Sequence, residues 1–151
     1  MNLLKKLGLV LGVLFLAQQA FASPLEDWNH KKSLAVKGYD VTSYFADGPV
    51  KGDKKITVEH QGLTYRFASE ENKALFEVSP EKYLPQYGGW CATALADGDK
   101  VDINPKNYKI TDGKLYLFYK GLLGDARKPW LKDEAGLKEK ADAQWSKLLA
   151  K

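Results

Sequence analysis

The sequence predicts a single small α+β domain in which antiparallel β-hairpins pack against several short helices and a C-terminal helix. Two pairs of alternating apolar segments joined by glycine-containing turns predict the hairpins. An apolar stripe at helical spacing predicts the last helix. The chain has no internal repeat or linker-like stretch, so we expect a signal peptide at 1–22, an extended lead-in at 23–35 and one domain at 36–149.

The first 22 residues have the three regions of a secretory signal peptide. Lys5 and Lys6 supply the positive charge, residues 7–17 form an unbroken apolar run, and residues 20–22 read Ala-Phe-Ala, a typical cleavage site. The apolar run is well short of the ~20 residues that span a bilayer, which favours cleavage over a membrane anchor. We therefore expect cleavage after Ala22 and a periplasmic or secreted protein.

Charge and composition narrow the classes of partner. With these 22 residues removed, the 151-residue chain becomes 129 residues, enough for one domain with a hydrophobic core. The formal net charge falls from +4 to +2, and the basic residues are scattered among acidic ones, which argues against a nucleic-acid partner. No later apolar segment is long enough to span a membrane.

Cys91 is the only cysteine, so no internal disulfide can form.

A hairpin and two helices are predicted in the first half of the domain. Apolar residues alternate with polar ones before and after Gln61-Gly62, which predicts a β-hairpin over about 56–67. Ser69 is placed as an N-cap, and Ser79-Pro80 ends the helix that follows. Pro80 then suits the first position of a second short helix.

A short helix, a second hairpin and a C-terminal helix are predicted in the second half of the domain. Gly88-Gly89 breaks the chain, and Trp90 to Ala96 predicts a compact helix followed by a loop over 102–106. Asp112-Gly113 between alternating segments predicts a type I′ hairpin. Pro129 precedes Trp130, and a helix is expected from about Asp133. Its apolar stripe, which we expect to dock on the domain, consists of Leu137, Ala141, Trp145 and Leu148.

Residues 59–69, Glu-His-Gln-Gly-Leu-Thr-Tyr-Arg-Phe-Ala-Ser, resemble the YHS-domain family. His60, Tyr65 and Ser69 fall where that family has the His, Tyr and Ser of its pattern. The sequence is similar to the exported branch of the family at 38–45, 87–92 and 112–117 as well, so that the resemblance extends over about 34–148. It implies the α+β fold and makes Tyr65 a candidate ligand-binding residue.

The resemblance implies metal binding only for the short form of the family, which uses cysteines. Two of those positions are occupied here by Ala68 and Asn72, and the short form's N-terminal cysteine is absent from 38–45. A structural zinc site needs four Cys or His ligands, whereas the chain after residue 22 has one Cys and two His. We therefore expect the fold without that metal site.

Cys91 is the main candidate for chemistry. A thiol in the first turn of a helix is favoured as thiolate, and could be a soft metal ligand, a redox-active group or a nucleophile. The alternative is a small buried hydrophobic residue, which is how free cysteine commonly behaves. Copper or another transition metal could be held by Cys91 with His60, although Met1 is the only methionine. The alternative for His60 is a solvated ring at a hairpin turn.

Two further residues have open assignments. Asp40 could line a ligand pocket or cap a turn, and the turn is favoured. His30 is assigned no role.

These residues favour a non-catalytic protein that binds a metal ion or small ligand near Cys91. A thiol-dependent enzyme or redox protein using Cys91 is the first alternative, but no Cys-x-x-Cys, phosphate loop or nucleophile elbow is present. His60 is the only plausible base, and nothing in the sequence pairs it with Cys91. The second alternative is a periplasmic protein-interaction module that presents Trp28, Trp130 or the Tyr-rich strands to a partner.

Overall fold

The computed structural model describes residues 26–151, and the predicted signal peptide lies outside them. The strands of this part of the chain are β1 (His30–Lys31), β2 (Leu34–Ala35), β3 (Asp53–His60), β4 (Leu63–Phe67), β5 (Asn104–Thr111), β6 (Lys114–Phe118), β7 (Lys120–Gly121) and β8 (Gly124–Asp125). The helices are α1 (Glu70–Val78), α2 (Pro80–Tyr83), α3 (Ala92–Ala96), α4 (Arg127–Lys132) and α5 (Glu134–Leu149). Short 3-10 turns occupy Val36–Gly38, Ser43–Phe45 and Gln86–Gly89. The predicted α+β class is confirmed.

The first sheet has the strand order β1-β2-β4-β3. β3 and β4 are antiparallel and joined through Gln61 and Gly62, whose positive φ angles of 49° and 82° suit a tight hairpin, so this hairpin is confirmed. The predicted lead-in is not merely extended. Its residues form β1 and β2, and β2 runs parallel to β4 through the pairing of Leu34 with Thr64.

α1 begins as the sequence predicts. The Ser69 hydroxyl accepts a hydrogen bond from the Asn72 backbone N–H at 3.1 Å, which satisfies one of the free donors of the first turn. Phe76 is the buried residue of α1, and its ring lies 5.0 Å from that of Tyr65 and 5.1 Å from that of Phe67. These contacts dock α1 on the first sheet.

The second hairpin is confirmed, with one correction to its start. Asp112 and Gly113 have φ angles of 51° and 72°, as a type I′ turn requires. β5 begins at Asn104, so residues 104–106 are strand where a loop was predicted. The pairing register shifts between Asn104 and Tyr108, and this irregularity accommodates Pro105, which has no N–H to donate to a regular ladder.

α3 is shorter than predicted. It begins at Ala92, because Trp90 has extended backbone and Cys91 occupies the N-cap position. The Cys91 backbone N–H donates to the Val101 carbonyl at 2.9 Å, and Cys91 forms an isolated parallel bridge with Leu117 of β6. These long-range contacts keep Cys91 out of the helical turn in which the sequence placed it.

The C-terminal region contains the predicted helix and one that was not predicted. Asp133 caps α5 by accepting from the Gly136 N–H, and the predicted apolar stripe of α5 packs on the core. The additional helix is α4. Pro129 lies in its first turn, where a backbone N–H has no helical partner in any case. No helix within 26–151 combines the length and the apolarity needed to cross a membrane.

Trp130 of α4 is the largest fully buried side chain among the described residues. Its ring lies 5.3 Å from that of Tyr116 and 5.6 Å from that of Phe118, both in β6. Trp130 therefore belongs to the core, and a protein partner cannot reach it on the folded surface. Trp28 is also packed, with its ring 6.3 Å from that of Trp145.

We predict that Trp130→Ala lowers the free energy of unfolding by about 3–5 kcal/mol, because it leaves a large cavity in the core. Trp130→Phe should cost less, since the indole N–H has no hydrogen-bond partner among the described residues. Urea unfolding followed by circular dichroism measures both. The control is Leu131→Ala at a 54% exposed neighbour, which should change stability by about 0.5 kcal/mol or less. Equal losses at the two positions would contradict the assignment.

Candidate functional site

Cys91 is fully buried, with 0% of its surface exposed. Besides its bond to Val101, its carbonyl accepts from the Leu95 N–H at 3.0 Å within the hydrophobic core. In this position the thiol packs as a small hydrophobic group, which was the alternative considered for it.

His60 is more enclosed than expected. Its ring packs edge-on against Phe76 at 5.6 Å and near Tyr65 at 6.4 Å, and only 22% of the side chain is exposed. The ring is therefore only partly exposed and differs from the solvated ring that was the alternative for His60. The Nε2 atom lies 3.6 Å from Glu81 Oε1, which is too far for a hydrogen bond, and it has no other partner within 26–151.

The contacts of Cys91 and His60 do not converge. Cys91 lies among Leu117, Val101 and α3, whereas His60 lies against α1 and α2. No group of three or more His, Cys, Asp or Glu side chains in the described part of the chain is arranged to hold a metal ion.

Tyr65 is buried and serves as a packing residue of the first sheet. Its ring is tilted by 31° against that of Phe76. Burial, with a smaller contribution from Glu81, raises the pKa of Tyr65 well above its ordinary value, so the phenol is neutral.

Asp40 is fully buried, and its carboxylate joins three segments of the chain. Oδ1 accepts from the Thr42 N–H at 2.9 Å, the Thr42 hydroxyl at 2.6 Å and the Ser43 N–H at 3.3 Å. Oδ2 accepts from the Ala68 N–H at 2.9 Å and from the Asn72 side-chain amide at 2.7 Å. Asp40 thus caps its own turn, as favoured from the sequence, and also fastens the end of β4 to α1. We call this arrangement the Asp40 clamp.

A cleft of about 830 Å³ opens on the other side of the first sheet from the buried face of β4. We call it the N-terminal cleft. Its lining residues are Asn29, His30, Lys31, Lys32, Leu34, Val36, Lys37, Arg66, Trp90, Asp102 and Ile103. It is formed by the lead-in, by β4 and by the segments flanking α3. Because Trp90 precedes Cys91 in the chain, the cleft lies beside the residue that the sequence singled out.

Hydrogen bonds hold the rim of this cleft in place. The Asn29 side-chain amide donates to Gly89 O at 3.1 Å and to Asp102 Oδ1 at 3.0 Å, and Lys37 pairs with Asp102 at 2.8 Å. Burial by itself would raise the pKa of Asp102, but these hydrogen bonds bring it below its ordinary value, so the carboxylate is ionised at neutral pH. The Trp90 indole N–H donates to Asp27 O at 2.6 Å.

Sequence reasoning missed most of this cleft. It assigned no role to His30, which lines the cleft and accepts from the Ser33 N–H at 3.3 Å through Nδ1. Arg66 was noted only as part of a motif. Its position in the alternation of β4, opposite to buried Tyr65 and Phe67, was the available signal that it faces away from the core.

Comparison with known proteins identifies one part of the chain. Residues 42–87 match the family model described as YHS domain. This segment is therefore similar to a YHS domain. The match begins at Thr42, two residues after Asp40, and ends at Tyr87 within the 3-10 turn, so Asp40, Trp90 and Cys91 lie outside it. No curated protein and no solved structure gives a significant match to the chain.

YHS domains are small and generally associated with metals, and the clamp contains the positions at which the resemblance implies metal ligands. The positions implied for the ligating cysteines, Ala68 and Asn72, are the two residues that donate to Asp40 Oδ2. The Asp40 oxygens accept five hydrogen bonds in total and have no free lone pair directed at a further ligand. The residues present therefore do not fit the family's cysteine-based metal site, and hydrogen bonds take its place in joining the segments.

We predict that Asp40→Asn lowers the free energy of unfolding by about 3 kcal/mol or more. Four of the five groups that face the carboxylate are N–H donors, so an amide would direct its own donors at them. Urea unfolding measures the loss, with Asp47→Asn at an exposed position as the matched control. A loss for Asp40→Asn no larger than that for Asp47→Asn would disprove the clamp.

Proposed function

We propose that this protein is exported and acts as a non-catalytic binding protein for a small ligand, held in the N-terminal cleft beside Cys91. The observation that carries the proposal is the cleft itself. Its volume falls within the roughly 300–1,000 Å³ of small-molecule sites, and it combines an aromatic ring and apolar side chains with a few charged groups.

The alternatives centred on Cys91 have less support from the geometry. A nucleophilic or redox-active thiol needs access to its substrate and a nearby base, whereas Cys91 is fully buried and His60 packs against α1 instead. A metal held by Cys91 and His60 would require the two side chains to share a site, and their contacts differ throughout.

Export is the first part of the proposal to test. When the full chain is expressed in a bacterium with a periplasm, the protein is expected in the periplasm. Its N-terminal residue should be Ser23, and its mass should equal that of residues 23–151. Ala22→Arg should block processing, because a signal peptidase accepts only small residues there. Phe21→Leu, between the two small residues, should be processed normally. An unprocessed wild-type chain in the cytoplasm would contradict export.

Ligand binding is the second part, and NMR of the ¹⁵N-labelled protein can locate it. A panel of small aromatic fragments is expected to shift the Trp90 indole resonance and the amides of Leu34 and Ile103. The Trp130 indole resonance is an internal control, because that ring is sealed in the core. Fragments that shift nothing in the cleft, or that shift other surfaces only, would contradict the proposed site.

Metal titration tests the alternative of a metal site at Cys91. Cu(I) and Zn(II) added to the wild type and to Cys91→Ser are expected to show no Cys91-dependent binding tighter than micromolar. Stoichiometric binding that Cys91→Ser abolishes would favour the metal site over the cleft.

A further inference from the structure

The N-terminal cleft carries positive charge that the described residues leave unneutralised. Its positively charged lining residues are Lys31, Lys32, Lys37 and Arg66. The acidic lining residue, Asp102, is already engaged by Lys37 and Asn29. Within 26–151, no ion pair or hydrogen bond engages the side-chain nitrogens of Lys31, Lys32 or Arg66. An acidic ligand would supply the missing countercharge.

Arg66 is the most informative of these residues because it is half-buried. Its guanidinium lies over the backbone of Gly38, where an added Cβ would come within 3.2 Å of Nη1. The missing side chain at Gly38 therefore makes room for the guanidinium at the cleft. A guanidinium offers several N–H donors in one plane, which matches the paired oxygens of a carboxylate or phosphate.

The backbone along this wall is strained. Lys32, Val36 and Lys37 line the cleft with φ angles of 52°, 47° and 53°, in the left-handed region. For a β-branched residue such as Val36 this is a marked departure from the favoured conformations. Such strain persists only where surrounding contacts impose it, and it clusters at ligand sites. Here it belongs to the segment that presents the lysines.

The remaining lining is apolar. Leu34 and Trp90, both half-buried, contribute an aliphatic side chain and an aromatic ring, whereas Val36 and Ile103 line the cleft with only 6% and 3% of their surface exposed. A bare inorganic ion would use none of this surface, and the cleft is large enough for an organic molecule.

We propose that the N-terminal cleft binds a small organic anion. Its carboxylate or phosphate group contacts Arg66 and the neighbouring lysines, and its apolar body packs against Trp90. This inference rests on the proposed function and adds to it the chemical class of the ligand.

The test compares benzoate and phenyl phosphate with neutral benzamide and with inorganic phosphate, using the Trp90 indole resonance and calorimetry on the purified protein. The organic anions are expected to bind at least tenfold more tightly than benzamide and than inorganic phosphate. Added salt should lower the affinity of the protein for these anions, because it screens the charges. The tighter of the two anions identifies the ligand group as carboxylate or phosphate. Arg66→Gln should weaken anion binding about tenfold, and Lys54→Gln, which removes the same charge from exposed β3, should not.

The outcomes separate the inference from the proposed function. If benzamide binds as tightly as benzoate, the inference that the ligand is an anion is overturned, whereas the proposal that the cleft binds a ligand stands. Equal affinity for phenyl phosphate and inorganic phosphate would overturn the inference that an apolar organic part of the ligand contributes to binding. No binding of any probe would overturn both proposals. If Arg66→Gln fails to fold by circular dichroism, the double variant Lys31→Gln with Lys32→Gln replaces it, and unchanged anion affinity in that variant would also overturn the inference.

Discussion

The buried carboxylate of Asp40 is the interaction on which the rest of this structure depends. A carboxylate removed from water is stable only when hydrogen bonds replace its hydration. Here the five donors come from three places: the turn that follows Asp40, the end of β4 and the first turn of α1. Satisfying one anion therefore fixes the relative positions of a turn, a strand and a helix.

The clamp also determines what β4 presents to the cleft. Because the end of β4 is held at Ala68, the alternation along the strand turns Tyr65 and Phe67 into the core and leaves Thr64 and Arg66 on the opposite face. β2 joins β4 on one side and brings the strained lysine-bearing segment next to Arg66. The core and the cleft are thus two faces of one strand. The segment that matches the YHS model supplies Arg66, and the segments outside the matched residues supply Trp90 and the lysines.

The features predicted correctly from the sequence are those that depend on neighbouring residues. Ser69 caps α1, Gly62 and Gly113 make their turns, and α5 begins close to Asp133, because each of these features depends on residues within three or four positions along the chain. The errors have a different cause. Cys91 leaves the predicted helical turn because of its contacts with Val101 and Leu117, and Asn104, in the middle of the predicted loop, pairs with Phe118. The candidate site shows the same division: the turn-capping role of Asp40 was predictable, whereas its bonds to Ala68 and Asn72 were not.

The sequence by itself determined the fold class, most helix and strand positions, the resemblance to YHS domains and the loss of the family's cysteine ligands, since these follow from local pattern and residue identity. The tertiary structure alone decided that Cys91 is sealed in the core, that His60 packs away from it, and that a basic cleft lies beside Trp90. Burial and convergence depend on how segments far apart in the chain pack together. That packing depends on interactions such as the Asp40 clamp, whose partners lie up to 32 positions away in the sequence.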